Sequence, residues 1–530
     1  MNIADFRYHS QLSFDFNYSK PLELTALEVS ILKLLEDMDF SCFEREEERR
    51  KKGRTANLDA YTMMVIILYA RANGCYSSRE TERLCSRDIF IHSVLAGKAY
   101  PDHVTINRFI KRHPKSIEQV LASCVRSLDR YGEISKKILF QDGTKIESRA
   151  NRYSFVWKTG VQKNKEKLKQ KCIALAERIA DHLCLEYFAI DEYDDEINKL
   201  MILKSKIENS GVPYMMIAGC GRGRKRLTPE QRFYRDIVSF TGKYREYASY
   251  LNDIGEGRKS MSRTDKDATF MRMKEDAMKN GQLKPAYNIQ TLVDSNYIIG
   301  CYSSSDRTDY ATAIPSIEKI SSIYSWKYDG YCADSGYDTL YNHRYLEEHG
   351  ITDYIKPQNF EISKTKKVRN STGLYSNMAY DERMNEFTCR NGKKLVAVKS
   401  YWHRKKQITK FSCLRGCVTC QFRNECISGK GKSRYKSFSI SLDLERYRRV
   451  AIDNITTRSG AEIRANRSIQ AEGAFAQIKA NNSFRRFLCF GRERTTTEWI
   501  LMSLAVNITR FSYRLEQGLA GKPFWYSIPA

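Results

Sequence analysis

The chain has 530 residues and a formal net charge of +26, because 89 Lys and Arg residues outnumber 63 Asp and Glu residues. Hydrophobic residues make up 42% of the sequence, which is enough for a buried core and excludes global disorder. A protein this basic usually binds a polyanion, which means either nucleic acid or an anionic membrane surface.

The hydrophobic pattern disfavours the membrane. The apolar run at residues 63–70 (MMVIILYA) is much shorter than the ~20 residues that a spanning helix needs. Residues 1–10 contain no apolar stretch behind a basic start, so we predict no secretory signal and expect a cytoplasmic, nucleoid-associated protein. The 15 cysteines are odd in number and mostly scattered, which argues against a disulfide framework.

The N-terminal region, residues 1–130, is predicted to be a helical domain that binds DNA. Residues 105–112 (TINRFIKR) place Arg108, Lys111 and Arg112 on adjacent turns of one helix. Two short helices across a turn, the second of them basic, suit a contact with DNA like that of a helix-turn-helix. A plain helical bundle with a basic surface explains the same pattern equally well.

An α/β pattern follows. Alternating apolar residues predict a strand at 136–146, and charged helices are predicted over 161–280. The next predicted elements are strands at 287–294 and 297–303, a helix at 310–324, a strand at 326–334, a helix at 338–349, a strand at 353–356, and late helices at 466–481 and 495–516. This is the order of a ribonuclease-H-like α/β catalytic domain with a helical insert and a Cys-bearing insert, preceded by the all-α N-terminal domain. The predicted divisions are 1–130, 131–160 (first part of the core), 161–280 (helical insert), 281–360 (second part of the core), 361–450 (Cys-bearing insert) and 451–530 (last part of the core, with a Glu-bearing helix).

Three acidic residues are candidates for metal-dependent phosphodiester chemistry, which uses two divalent cations ~3.5–4 Å apart held by carboxylates. Asp142 lies within an apolar strand, Asp334 follows a strand, and Glu472 lies on a predicted helix whose same face carries Lys479. Each has an ordinary alternative. Asp142 is then a buried hydrogen-bonded carboxylate, Asp334 a helix cap and Glu472 a surface residue. Spacing alone does not select these three from 63 acidic residues.

Four stretches, in this order, resemble bacterial insertion-sequence DDE transposases. They are residues 138–148 (ILFQDGTKIES), 284–294 (KPAYNIQTLVD), 331–339 (YCADSGYDT) and 467–479 (RSIQAEGAFAQIK). Residues 100–108, 484–491 and 505–510 are also similar, so that the resemblance covers nearly all of residues 20–515. Several motifs in the right order make the resemblance much more specific than any one of them.

The resemblance implies that Asp142, Asp334 and Glu472 are the catalytic carboxylates and bind two Mg²⁺ or Mn²⁺ ions. It implies cleavage at transposon ends, attack of the freed 3′-hydroxyl on target DNA, and a homo-oligomer on double-stranded DNA. The last motif departs from the family pattern, since Ser468 and Ala465 stand where Arg and Tyr are expected. Arg467 and Lys479 are therefore expected only as DNA contacts. The alternatives are a non-catalytic DNA-binding regulator derived from a transposase, and a ribonuclease-H-like nuclease without strand transfer.

One group of cysteines is not scattered. Cys413, Cys417, Cys420 and Cys426 follow a C-x3-C-x2-C-x5-C pattern, with Cys389 and His403 as possible substitutes. Four thiolates bind zinc tetrahedrally and leave no open position, so a bound Zn²⁺ would be structural. The alternative is a set of reduced thiols in the core of a small insert.

Overall fold

The computed structural model describes residues 23–48, 57–184, 195–209, 227–273, 281–403, 406–427, 433–481 and 484–522. The chain divides into two compact units, Met1–Ser135 with Leu501–Ala530, and Lys136–Ile500. Within the described residues, no helix combines the length and the apolar character that crossing a membrane requires.

The first unit is helical. Its core is the apolar run predicted from the sequence, because Met64, Ile66 and Leu68 on α3 are fully buried. The side chain of Ser77 and that of Glu80 form a reciprocal capping box at the start of α4. Its helices are α1 (Ala26–Leu35), α2 (Ser41–Glu48), α3 (Ala60–Ala72), α4 (Ser78–Cys85), α5 (Ile89–Leu95), α6 (His103–Arg112) and α7 (Pro114–Arg130).

The second unit is built on a mixed sheet. Its central strand β1 pairs antiparallel with β5 on one side and parallel with β7 on the other. Strand β8 continues the parallel side, and β4 and β6 each pair antiparallel with β5. The strands are β1 (Ile138–Glu147), β4 (Thr269–Arg272), β5 (Leu283–Asp294), β6 (Tyr297–Ser304), β7 (Gly330–Cys332) and β8 (Thr352–Asp353); a short pair is formed by β2 (Phe155–Trp157) and β3 (Ser260–Ser262).

Long helices lie between β2 and β3 in the chain. They are α8 (Lys158–His182), α9 (Asp195–Asn209) and α10 (Pro229–Ile254). They pack on one another around a small apolar core of their own, which includes Leu175, Leu203 and Ile237. The paired strands β2 and β3 are therefore joined by a helical bundle and not by a short turn.

A second, antiparallel sheet follows two short helices in the chain. The strands β9 to β13 form an antiparallel sheet in the order β13-β12-β11-β10-β9, with Phe387, Leu395 and Phe411 in its core. The elements in this region are α13 (Phe360–Ser363), α14 (Lys366–Arg369), β9 (Ala379–Asp381), β10 (Glu386–Thr388), β11 (Lys394–His403), β12 (Lys406–Cys413), α15 (Arg423–Cys426) and β13 (Ser437–Ile440). Two helices precede it in the chain: α11 (Ala313–Tyr324) lies between β6 and β7, and α12 (Leu340–Glu348) lies between β7 and β8.

The last helical region is not regular throughout. It begins with α16 (Leu442–Thr456) and α17 (Arg458–Arg467) and continues through a π-helical turn at Ser468–Glu472, α18 (Gly473–Ala476) and a second π-helical turn at Gln477–Asn481. The first π-helical turn packs against β1 and β5. The final helix is α19 (Arg492–Glu516), whose residues from 501 onward belong to the first unit.

Candidate active site

Asp142 lies in the middle of β1, the central strand. Its residue is only 8% exposed, and its Oδ1 accepts the backbone N–H of Gly143 at 2.8 Å. A carboxylate in a buried strand is costly unless hydrogen bonds or cations compensate for the lost hydration. One cation lies close to it, since Nη1 of Arg467 is 3.6 Å from Oδ2 of Asp142.

Asp334 follows β7, the strand that pairs in parallel with β1. The parallel pairing sets Ile138 opposite Gly330 and Phe140 opposite Cys332, so continuing the same register by two residues sets Asp142 opposite Asp334. The backbone of Asp334 is still extended, with φ −78° and ψ −178°. Because opposite residues on neighbouring strands point to the same face and the strands lie ~4.8 Å apart, the sheet brings the two aspartates together.

Glu472 joins this pair through Arg467. The Nη2 of Arg467 donates to Oε1 of Glu472 at 3.1 Å, while its Nη1 approaches Asp142. In a regular α-helix, residues five apart point in directions about 140° different, at 100° per residue. The π-helical turn at Ser468–Glu472 reduces that offset, because its i→i+5 hydrogen bonds put more residues into each turn. Arg467, expected only as a DNA contact, thus bridges two of the three carboxylates.

Lys479 lies seven residues after Glu472 on the same helical region. Glu472 and Ala476 are exposed and Lys479 is half-buried, which leaves all three accessible to solvent. Phe475, which the helical spacing places on the same face as Glu472, is instead buried and packs near the ring of Trp499 at 6.2 Å between centroids. The expectation that Glu472 and Phe475 share one face is therefore wrong, because Phe475 faces the core.

Asp309 is an acidic residue near this site that sequence reasoning did not single out. It follows β6, and its Oδ1 accepts hydrogen bonds from Asn288 at 2.8 Å and Gln290 at 2.7 Å. A Cβ placed on Gly336 would stand 2.9 Å from Oδ1 of Asp334 and 3.3 Å from Oδ2 of Asp309, so the two carboxylates approach the same point. In the sequence, Asp309 is marked only by its position after a predicted strand. Asp306 follows the same strand, so this position does not single out Asp309.

Gly143 is required by this arrangement. A Cβ at this position would overlap the carboxylate of Asp309 and the side-chain amide of Gln290. The N–H of Gly143 also orients Asp142. Glycine beside Asp142 therefore lets Asp309 and its amide partners lie close to the strand backbone.

We expect Gly143→Ala to lower the free energy of unfolding by about 1–3 kcal/mol, because a methyl group added to a filled site displaces its neighbours. The measurement is a urea unfolding curve of the full chain. The matched control is Gly257→Ala, since a Cβ at Gly257 would meet nothing within 4 Å. Equal unfolding midpoints for the two variants would show that the close approach of Asp309 does not require glycine at position 143.

Carboxylate oxygens are the ligands that Mg²⁺ and Mn²⁺ prefer, so the chemistry of Asp142, Asp334 and Glu472 fits such an ion. In the described part of the chain, no three His, Cys, Asp or Glu side chains already stand as a metal site. The Glu472 side chain is 58% exposed and held by Arg467. It can therefore turn toward the aspartates without disturbing the core.

The remaining predicted site residues are the DNA contacts of the N-terminal region and the zinc ligands, and they lie on other elements than the carboxylates. Arg108, Lys111 and Arg112 are all exposed on α6, whose N-terminal Asp102 caps the helix. Of the predicted zinc ligands, Cys413 is buried. The other three, Cys417, Cys420 and Cys426, are partly exposed, and all four line one small cavity together with Cys389.

Two family models match the chain. A model described as "Transposase DDE domain" matches residues 388–512, a span that contains Arg467, Glu472 and Lys479 but neither aspartate. A model described as "Transposase domain (DUF772)" matches residues 26–112, a span that contains α6. No curated protein and no solved structure matches the chain. The chain therefore carries two transposase family domains, which confirms its resemblance to the insertion-sequence DDE transposases.

Proposed function

We propose that this protein cleaves DNA at the ends of a mobile element and joins those ends to target DNA, using Asp142, Asp334 and Glu472. The observation that carries the proposal is the parallel pairing of β1 with β7, which ends two residues before Asp142 and two residues before Asp334, with Glu472 tied to Asp142 by Arg467. Three carboxylates from two strand positions and one helix are what metal-dependent phosphodiester chemistry requires.

The sheet supports a ribonuclease-H-like core. Its path β6-β5-β1-β7-β8 has two antiparallel pairings on one side of β1 and two parallel pairings on the other. On this reading, the helices α8 to α10 and the sheet β9 to β13 are the two inserts in the core.

In the proposed reaction, the oxygen of water bonds to the phosphorus at the element's end, and the 3′-oxygen leaves and takes a proton. The oxygen of that 3′-hydroxyl then bonds to the phosphorus of a target phosphodiester and loses its proton, and the 3′-oxygen of the target strand leaves and takes a proton. Asp142, Asp334 and Glu472 would hold two divalent cations, which supply charge neutralisation and acidify the attacking water. The protein's own part is to place three carboxylates at one point on rigid elements.

Basic side chains would position the DNA. Arg467 carries five N–H donors, so it can bridge Asp142 and Glu472 and also donate to a phosphate. Lys479 lies further along the same helical region and adds a point charge for the same strand. On α6, Arg108 and Lys111 are exposed for a second contact, and phosphate contacts of this kind give affinity that does not depend on sequence.

The test is cleavage of a DNA fragment that carries the element's own end and flank, with Mg²⁺, with Mn²⁺ and with chelator. A nick at the end that depends on metal, followed by joining to a second duplex, supports the transposase. Nicking without joining favours a nuclease. Tight binding with no nick in any metal favours a regulator and contradicts the proposal.

A further inference from the structure

Five cysteines meet at one small cavity in the sheet β9 to β13. Cys389 lies at the turn between β10 and β11, and Cys413 ends β12. Cys417 and Cys420 lie in the loop after β12, and Cys426 ends α15. None of these thiols is in a disulfide, and all five line the cavity. A tetrahedral zinc site needs four.

We propose that Cys389, Cys417, Cys420 and Cys426 bind a structural zinc ion, and that Cys413 is not a ligand. This set differs from the one that sequence spacing suggests, which takes Cys413 as a ligand and Cys389 only as a substitute. It also goes beyond the proposed DNA chemistry, because these residues lie on different elements from the carboxylates.

Cys413 behaves as an apolar core residue. It is 2% exposed and belongs to the apolar cluster of Leu395 and Phe411. Its thiol donates a hydrogen bond to the carbonyl oxygen of Arg415 at 3.0 Å, which requires the protonated form. A zinc ligand is a thiolate, so this hydrogen bond and zinc binding exclude each other.

The other four cysteines are each partly exposed, so an ion can reach them from solvent. Cys417 and Cys420 have the C-x2-C spacing of zinc-binding loops. The side-chain amide of Asn391 donates to the sulfur of Cys420 at 3.4 Å, which is a contact that favours a thiolate. Asn391 lies two residues after Cys389, so this contact already joins the two loops.

Positive side chains surround the cavity. Lys393, Arg423 and Lys436 line it, and four thiolates with one Zn²⁺ carry a net charge of about −2 that such cations offset. Arg423 also donates to the carbonyl oxygen of Cys417 at 3.0 Å, and Lys436 to that of Cys426 at 3.0 Å. The cations therefore hold the backbone of the proposed ligands and balance their charge.

No three of these thiols already stand in a ligating arrangement within the described residues, so zinc binding requires them to turn into the cavity that they line. Each thiol moves by rotation about the Cα–Cβ bond of its side chain. The gain would be structural, because the apolar core of this sheet is small and a metal would join the loops on one side of it.

The experiment measures zinc in the purified full chain and in single variants by elemental analysis. We expect about one zinc per chain in the unmodified protein and in Cys413→Ser, and a loss of nearly all zinc in Cys389→Ser and Cys420→Ser. Asp142→Asn serves as the control for zinc held by the carboxylates and should keep its zinc. Full zinc content in Cys389→Ser, or loss of zinc in Cys413→Ser, would overturn the proposed ligand set.

A second measurement covers variants that fail to fold. The unmodified protein is alkylated with iodoacetamide before and after zinc removal by chelator, and the modified cysteines are mapped by mass spectrometry. We expect zinc to protect Cys389 as strongly as Cys417, Cys420 and Cys426. Rapid alkylation of Cys389 in the zinc-loaded protein would remove it from the site, and no change on chelation would mean that no zinc is held by these thiols. Neither outcome depends on DNA cleavage.

Discussion

Asp142→Asn, Asp334→Asn and Glu472→Gln are each expected to lower the rate of end cleavage by about 10³-fold, the scale of loss when one preorganised charge is removed from an active site. Each amide keeps the shape of the carboxylate and removes its charge. DNA affinity should stay the same, because it comes from Lys and Arg contacts with phosphates. The measurements are single-turnover cleavage of end DNA and a binding titration at fixed salt.

The matched control is Glu462→Gln. Glu462 lies on α17, is 39% exposed at its side chain and pairs only distantly with Arg458, at 3.8 Å. Its loss should leave the cleavage rate unchanged, which separates a catalytic charge from a general effect of losing a carboxylate on this helical region. If one of the three site variants cleaves like Glu462→Gln, that residue does not belong to the site.

The register of the two aspartates could not be predicted from the sequence. Asp142 and Asp334 each stand out as a carboxylate at a strand, but the sequence does not state which strands are neighbours. The pairing of β1 with β7 joins residues almost two hundred positions apart in the chain. The resemblance to a family selected these two aspartates, which composition and spacing could not do. The pairing of β1 with β7 gives a physical reason for that selection.

Regular helical periodicity does not predict that Arg467 contacts both Asp142 and Glu472. At 100° per residue, Arg467 and Glu472 face different directions, and a sequence offers no reliable sign of a π-helical turn. Asp309 was hidden for a related reason. Strand β6 runs parallel to β1 through its pairing with β5, so its end lies at the same edge as Asp142, but only the strand order reveals this.

Local signals were more predictable than long-range ones. The apolar run of α3 and the capping box of Ser77 with Glu80 each depend on residues within or next to one helix, which are adjacent in the sequence. The strand predicted over 326–334 is shorter, since β7 spans only Gly330–Cys332. Cys389 could not be preferred over Cys413 from spacing, because it approaches the other cysteines only through the pairing of β10 with β11.

Arg448→Met is expected to have the largest effect on stability. Arg448 on α16 donates from Nε to Asp338 at 3.0 Å and from Nη1 to Glu445 at 2.9 Å. The carboxylate of Asp338 is fully buried, and Nε2 of His343 donates to it at 3.0 Å. Removing the guanidinium takes away one of the two cationic partners of a buried carboxylate, and breaking a buried pair in this way typically costs about 3–5 kcal/mol. The measurement is the unfolding midpoint in denaturant.

The same cluster sets a pH dependence. Burial alone would raise the pKa of Asp338, but hydrogen bonds from His343 and Arg448 lower it to about 2. Burial alone would lower the pKa of His343, but hydrogen bonds with Asp338 and Asp353 raise it to about 9. The contribution of Asp338 is therefore present above pH 3.8 and lost as the pH falls toward 2. That of His343 is present below pH 6.5 and lost as the pH rises through 9.

Arg446→Met is the matched control for Arg448→Met, because the two arginines lie two residues apart on α16. Arg446 pairs with Glu347 at 2.9 Å, but both side chains are more than half exposed, so the pair should contribute only about 0–1 kcal/mol. His343→Gln should remove the fall in stability that we expect for the unmodified protein between pH 6.5 and 9. If Arg446→Met and Arg448→Met unfold at the same denaturant concentration, burial does not strengthen the Asp338 cluster, and the pH dependence must arise elsewhere in the chain.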